Sequence, residues 1–258
     1  VKKERVFENA FLEYGCMESM TAPTGRKVFF LTDPIEDRPR DWADYKKNYE
    51  ATFTAQLLYP DNDNYEVMPW PERIYEGLYK KSADSDEKIR IPRFYSTQMQ
   101  VMINALNQIP LSNNEISGSK GLSVLMANSL MFQRTPEPVA GYDAQLSNFY
   151  GQALPFLKRG VPVHLMHIEN VSYPENWKDT KVLLMSYSNM KPLDEKAHQY
   201  IADWVKKGGV LVYSATDHDS FQQVQEWWNQ GENHFRAPSE HLFQLMGIKP
   251  NASEGEYA

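Results

Sequence analysis

Cysteine is almost missing from this sequence. The single thiol, Cys16 among 258 residues, leaves no intramolecular disulfide and no cysteine-built zinc site. Positive charge is also short: 27 Lys and Arg stand against 34 Asp and Glu, a net charge of −7. A chain so balanced has no basic stripe with which to displace counterions, which argues against non-specific nucleic-acid binding. No apolar run reaches the length of a bilayer span, so membrane insertion is not expected. There is no GxGxxG and no phosphate loop, so a nucleotide cofactor has no support; no cofactor and no metal are expected. A GxSxG elbow is absent as well, which disfavours an α/β-hydrolase nucleophile.

What is present belongs to a folded protein. Hydrophobic residues make up 41% and charged residues 24%, well away from disordered composition. The opening VKKERVFENAFLEYG is amphipathic and lacks a signal peptide's apolar core and an initiator methionine, so the chain is expected to be processed or excised from a longer one.

Two α/β runs follow one another. In the first, KVFFL (27–31) reads as a buried strand entering Asp33-Pro34. Trp42, Tyr45, Tyr49, Phe53 and Leu57 then recur at helical spacing, behind Asp41 as a cap and before Pro60 as a stop. A strand over 65–68 and a short helix from Pro71 complete the order helix, strand, helix, strand, helix. The polar stretch KKSADSDEKIRIP (80–92) is the best internal boundary, giving domains 1–90 and 91–258. Tyr95, Met99, Met102, Ile103 and Leu106 mark another helix.

The second run holds GLSVLMANSLMF, RGVPVHLMHIE, KVLLMSYSN and VLVYSATD as strands. Between them lie a helix with Leu146, Phe149, Tyr150, Ala153 and Leu157 on one face, kinked or shortened by Pro155, and LDEKAHQYIADWVKK. The latter has Ala197, Tyr200, Ile201, Trp204 and Val205 on one face and stops at Gly208-Gly209. The fold class expected is α/β, with a doubly wound, flavodoxin-like parallel sheet.

Candidate chemistry collects at the first two strand ends. NYEVMPWPERIYEG (64–77) brings Glu66 beside Trp70, held between two prolines that cannot continue a central strand. FLTDPIEDRP brings Asp33, Glu36 and Asp37, with Arg38 beside them. Glycosidic hydrolysis typically uses two carboxyl groups, and parallel neighbours can present them at one rim. Trp70 can stack on a sugar or plug a core edge. Asp33 can equally cap a turn before Pro34, and Glu66 can pair with Arg73 or Arg38. His164 and His167, three apart on a strand, point to opposite faces and make a poor metal pair. Asp217-His218-Asp219 ends the fourth strand of the second run, where open α/β sheets bind ligands. Asn251-Ala252-Ser253 fits a glycosylation sequon.

Residues 121–217 resemble the class I glutamine amidotransferase-like domain found in β-galactosidases, where it is called the trimerisation domain. The block AHQYIADWVKKGGVLVYSATD, a helix ending in Gly-Gly before a short apolar strand, is the most telling part. Amidotransferase chemistry needs a cysteine on a strand-to-helix turn, and Cys16 lies far upstream. The resemblance therefore implies a non-catalytic scaffold used for assembly, with a homo-oligomer formed through it. The N-terminal part looks like the closing strands of a TIM-barrel glycoside hydrolase, a partial (β/α) barrel segment preceding the second domain. On that likeness KVFFLTDP and NYEVMPWP correspond to about the seventh and eighth barrel strands. Glu66, Asp33 and Glu36 then become catalytic candidates, and Trp70, Arg38 and Asp37 substrate-binding ones. The family's usual nucleophile is a glutamate on the seventh strand, where this chain has Asp33. Its acid/base comes from the fourth strand, for which this chain shows no counterpart.

The resulting expectation is part of a glycoside hydrolase acting on carbohydrate, secreted or periplasmic. The alternative is a non-catalytic carbohydrate- or protein-binding α/β module, lined by Asp217-His218-Asp219 and Glu226-Trp227-Trp228.

Overall fold

Asp41 sets the start of a helix of the first half that buries an aromatic stripe. Its carboxylate accepts the Asp44 backbone N–H at 2.9 Å, satisfying a donor that the first helical turn leaves unused. The computed structural model describes residues 6–32, 40–59, 61–67, 71–109, 121–129, 144–214 and 224–249. The chain divides into two compact units, Val1–Ser117 and Gly118–Ala258.

In the first unit, helix α1 (Val6–Thr21) packs along α2 (Trp42–Gln56). Strands β1 (Phe30–Thr32) and β2 (Tyr65–Val67) pair in parallel, with Phe30 opposite Tyr65, Leu31 opposite Glu66 and Thr32 opposite Val67. Phe30 is fully buried, stacked on Tyr14 at 4.4 Å between ring centroids and edge-on to Tyr59 and Tyr65. Replacing it by alanine deletes the ring that joins α1 to both strands. Phe30→Ala is expected to cost the first unit about 3–5 kcal/mol, read as a shift of the denaturant midpoint.

After the short helix α3 (Pro71–Tyr75), the polar stretch expected to separate the domains forms an antiparallel hairpin instead, β3 (Leu78–Lys80) with β4 (Lys88–Arg90). Helix α4 (Arg93–Gln108) follows, and its Tyr95, Met99, Met102 and Leu106 share one core with Tyr45, Tyr49, Phe53, Ile74 and Ile91. The boundary expected at residue 90 thus lies at Ser117. Polar composition marked a solvated turn, whereas the apolar stripe of α4 decided which side of the division that helix belongs to.

The second unit is a four-stranded parallel sheet of β5 (Leu122–Met126), β6 (His164–His167), β7 (Val182–Met185) and β8 (Val210–Tyr213), in spatial order β6-β5-β7-β8. By first appearance in the unit this is 2-1-3-4, the flavodoxin-like order. The expected α/β class is therefore the class of this unit, with a four-stranded parallel sheet. Helix α5 (Ala144–Leu157) connects β5 to β6, and α6 (Lys196–Lys206) connects β7 to β8. The direction of winding reverses at β5, and crossovers of the usual right hand would place these two helices on opposite faces. The crossover from β6 to β7 carries only two 3-10 turns, Ile168–Asn170 and Pro174–Trp177. Helix α5 runs through Pro155 and ends two residues later.

Helix α6 buries a face rotated from the expected one. His198, Ile201 and Ala202 are buried, whereas Tyr200 is 47% exposed. The stripe at 198, 201, 202 has the same spacing as the aromatic one, and a histidine in a core position concealed it. Gly208 closes α6 at φ 105°. A Cβ on Gly209 would collide with the Trp204 ring, which is why the Gly-Gly pair precedes β8. Helix α7 (Pro238–Leu245) packs against α6.

Candidate functional site

The pleat of β1 sorts its side chains. Phe30 and Thr32 face the helices, and the Gln56 amide donates to the Thr32 hydroxyl at the strand's carboxyl end. Phe29 and Leu31 face the other way and are 63% and 55% exposed. Glu66, opposite Leu31 in register, lies on that same open face and is exposed. Among the described residues it makes no ion pair, so the pairing with Arg73 does not form. Asp33, Glu36, Asp37, Arg38 and Trp70 lie outside the described residues, as does Asp217-His218-Asp219. Asn251 and its sequon also lie outside them. The structure thus brings the two strands side by side, with Glu66 on an open apolar face.

In the second unit, the switch point of the winding lies between β5 and β7, and the loops after their carboxyl ends are polar and tied together. The Asn128 N–H donates to Glu169 Oε1 at 3.0 Å. The Ser129 hydroxyl donates to the Lys191 carbonyl at 2.6 Å and accepts from the Lys191 N–H at 2.7 Å. The ammonium of Lys191, 2% exposed, donates to the Tyr187 carbonyl at 2.6 Å. Burial raises the Glu169 carboxyl above the ordinary range, opposed by its bond from Asn128, and its Oε2 is buried without a hydrogen-bond partner. Asn189 turns this loop at φ 57°, a left-handed conformation that asparagine tolerates. No thiol stands at these strand ends, because Cys16 belongs to α1 of the first unit.

Sequence reasoning missed a second polar cluster beside this loop. Tyr187 and His198 Nε2 lie 2.7 Å apart, and His198 Nδ1 lies 2.9 Å from His241 Nδ1. Burial pushes His198 down to about 3, with the neighbouring His241 adding to the shift. His241 is also lowered by burial, opposed by the Glu195 carboxylate. The only sequence signal was His198 in the i, i+3, i+4 stripe of α6. Trp227 lies edge-on to both imidazoles and donates its indole N–H to the Pro192 carbonyl at 3.0 Å. Trp228, expected in the alternative reading to line a contact surface, is 1% exposed and part of the core. His167 is buried in β6 and held down to about 4 by desolvation, while burial lowers His164, opposed by the Asp179 carboxylate. Among the described residues no three His, Cys, Asp or Glu side chains gather as a metal site. Among them, too, no helix is long and apolar enough to cross a membrane.

A scan of protein-family models finds no match, and no curated protein is found as a relative. A β-galactosidase from Bifidobacterium adolescentis is a solved structure with some similarity to this chain, at 14% identity and a TM-score of 0.32. The alignment covers 51% of this chain and 54% of that one, so this chain spans about half the length of that enzyme. The likeness is too remote to argue from, and the sheet order above comes from the strand pairing itself.

Proposed function

We propose that this chain is part of a glycoside hydrolase, with Glu66 as a catalytic carboxyl group of its first unit. The observation supporting this reading is the parallel pairing of β1 with β2, which leaves Glu66 exposed beside the exposed Phe29 and Leu31 and without an ion pair among the described residues. Parallel strands are normally buried on both faces, and two of them do not make a stable sheet alone. Further strands closing a (β/α) barrel would turn that open face, with Phe29, Leu31 and Glu66, toward the barrel interior. Catalytic groups of such barrels stand at carboxyl strand ends, and Asp33 follows β1 there directly. Asp33 or Glu36 would supply a second carboxyl group, and Trp70, Arg38 and Asp37 would contact the sugar.

The second unit acts as a non-catalytic amidotransferase-like accessory domain in this reading. Strand β8, the edge of the sheet among the described residues, exposes Val210 at 52% and Val212 at 45%, which supports assembly into a homo-oligomer. Nitrophenyl glycosides offered to the complete protein test the proposal. Release of nitrophenol supports it; calorimetric binding of oligosaccharide without turnover replaces it with a carbohydrate-binding module.

A further inference from the structure

The Tyr187–His198–His241 cluster joins three elements: the loop after β7, the buried face of α6, and α7. His198 is fully buried and His241 half-buried. Hydrogens can be counted across it. The chain has two gaps to fill, one from the Tyr187 oxygen to His198 Nε2 and one between the two Nδ1 atoms. With Tyr187 protonated, as its complete burial enforces, its O–H donates to His198 Nε2. His198 then carries its own hydrogen on Nδ1 and donates it to His241 Nδ1. Two gaps hold two hydrogens, and the tautomers follow from the network. A proton added to His241 Nδ1 makes three hydrogens for two gaps. The two Nδ1–H groups then oppose each other, or His198 moves its hydrogen to Nε2 and the Tyr187 hydroxyl loses that nitrogen as its acceptor.

We propose that this histidine pair is an acid-released latch that holds α7, with the turn around Trp227, onto α6. The surrounding charges do not rescue the protonated form. Glu195, at the start of α6, is the acid acting on His241, and it only partly offsets the burial of that ring. On α7, Glu240 is engaged by Arg236 at 2.8 Å. From β8 the facing titratable group is Tyr213, 6.0 Å from the Tyr187 ring; Glu169 acts on the Tyr187 phenol, and the Lys191 ammonium is bonded to the Tyr187 carbonyl. None of these accepts the extra hydrogen between the imidazoles. Release of α7 uncovers Leu242 and the Phe243 contact with Tyr213, an apolar surface closed at neutral pH.

Amide hydrogen exchange on the whole chain, corrected for intrinsic chemistry, tests the latch. Opening that frees both imidazoles takes up as many as two protons below their ordinary value near 6.5. From pH 7.5 to pH 5.5 the amides of α7 should therefore exchange roughly tenfold or more faster, and at each pH faster than those of β5 and β7. His241→Asn keeps an acceptor for His198 Nδ1–H but does not titrate, and should lower that acceleration. Equal exchange in α7 and β5 at every pH, or no acceleration in α7, overturns the proposal. Should His241→Asn not fold, ring C–H titration of His241 in the unaltered protein decides: its midpoint must coincide with the loss of α7 protection.

Discussion

Glu66→Gln, placed in the complete protein, is expected on the proposed hydrolase reading to lower glycoside turnover by about 10²- to 10⁴-fold while leaving the fold intact. The range is that of losing a positioned proton donor or a carboxylate nucleophile. The side chain is exposed and makes no ion pair among the described residues, so the amide replaces it without stranding a partner. Stability should change by less than about 0.5 kcal/mol, the usual range for such a surface site. Separating the two readouts matters: a loss of turnover with an unchanged denaturation midpoint assigns Glu66 to the chemistry. Turnover unchanged in Glu66→Gln removes the residue from the site and leaves the exposed face of β1 and β2 as a packing surface.

Acid should unfold the second unit well before ordinary carboxylate titration would. His167 and His198 are buried neutral, at about 4 and about 3, against an unfolded value near 6.5. A histidine whose folded value is depressed stabilises fully above its unfolded value, and that contribution is lost as pH falls toward the folded one. Around pH 5 the unfolded chain therefore binds nearly two more protons than the folded unit from these residues alone, and fewer toward pH 6 and pH 4. Stability should fall by at most about 2.5 kcal/mol per pH unit, near pH 5, since each proton contributes about 1.4. His164 and His241, also lowered, add to the slope. Glu169 opposes it: its folded value is raised, so its contribution is present at low pH and is lost as pH rises. With native stability typically about 5–15 kcal/mol, two pH units remove much of it. Exchange of the β5 and β7 amides from pH 7 to pH 4 measures the slope. His167→Asn should reduce it by one proton; a slope below one proton in the unaltered protein would show that these imidazoles are hydrated in the native state.

The sequence carried the elements better than their grouping. Asp41 and the aromatic stripe behind it announced α2, and Gly208-Gly209 announced the end of α6, because caps and helical periodicity are local physics. The second sheet was legible for the same reason: short apolar strands alternating with amphipathic helices allow few arrangements, and 2-1-3-4 is one of them. The polar run at 80–92 misled, since a hairpin turn and a domain boundary share a composition. Membership of α4 depended on which core received Met99 and Leu106, a matter of packing between segments distant in sequence.

At the candidate sites the division is sharper. Composition and spacing alone determined that no cysteine could serve the second sheet and that acids follow the first strands. Only the tertiary structure decided that Leu31 and Glu66 stand opposite one another on an open face, because register is set between strands rather than within one. Nothing local foretold that His198 and His241, 43 residues apart, would face each other through their Nδ1 atoms. Hydrogen bonds between distant segments form where packed helices bring them, and the sequence holds only the stripe that allows it.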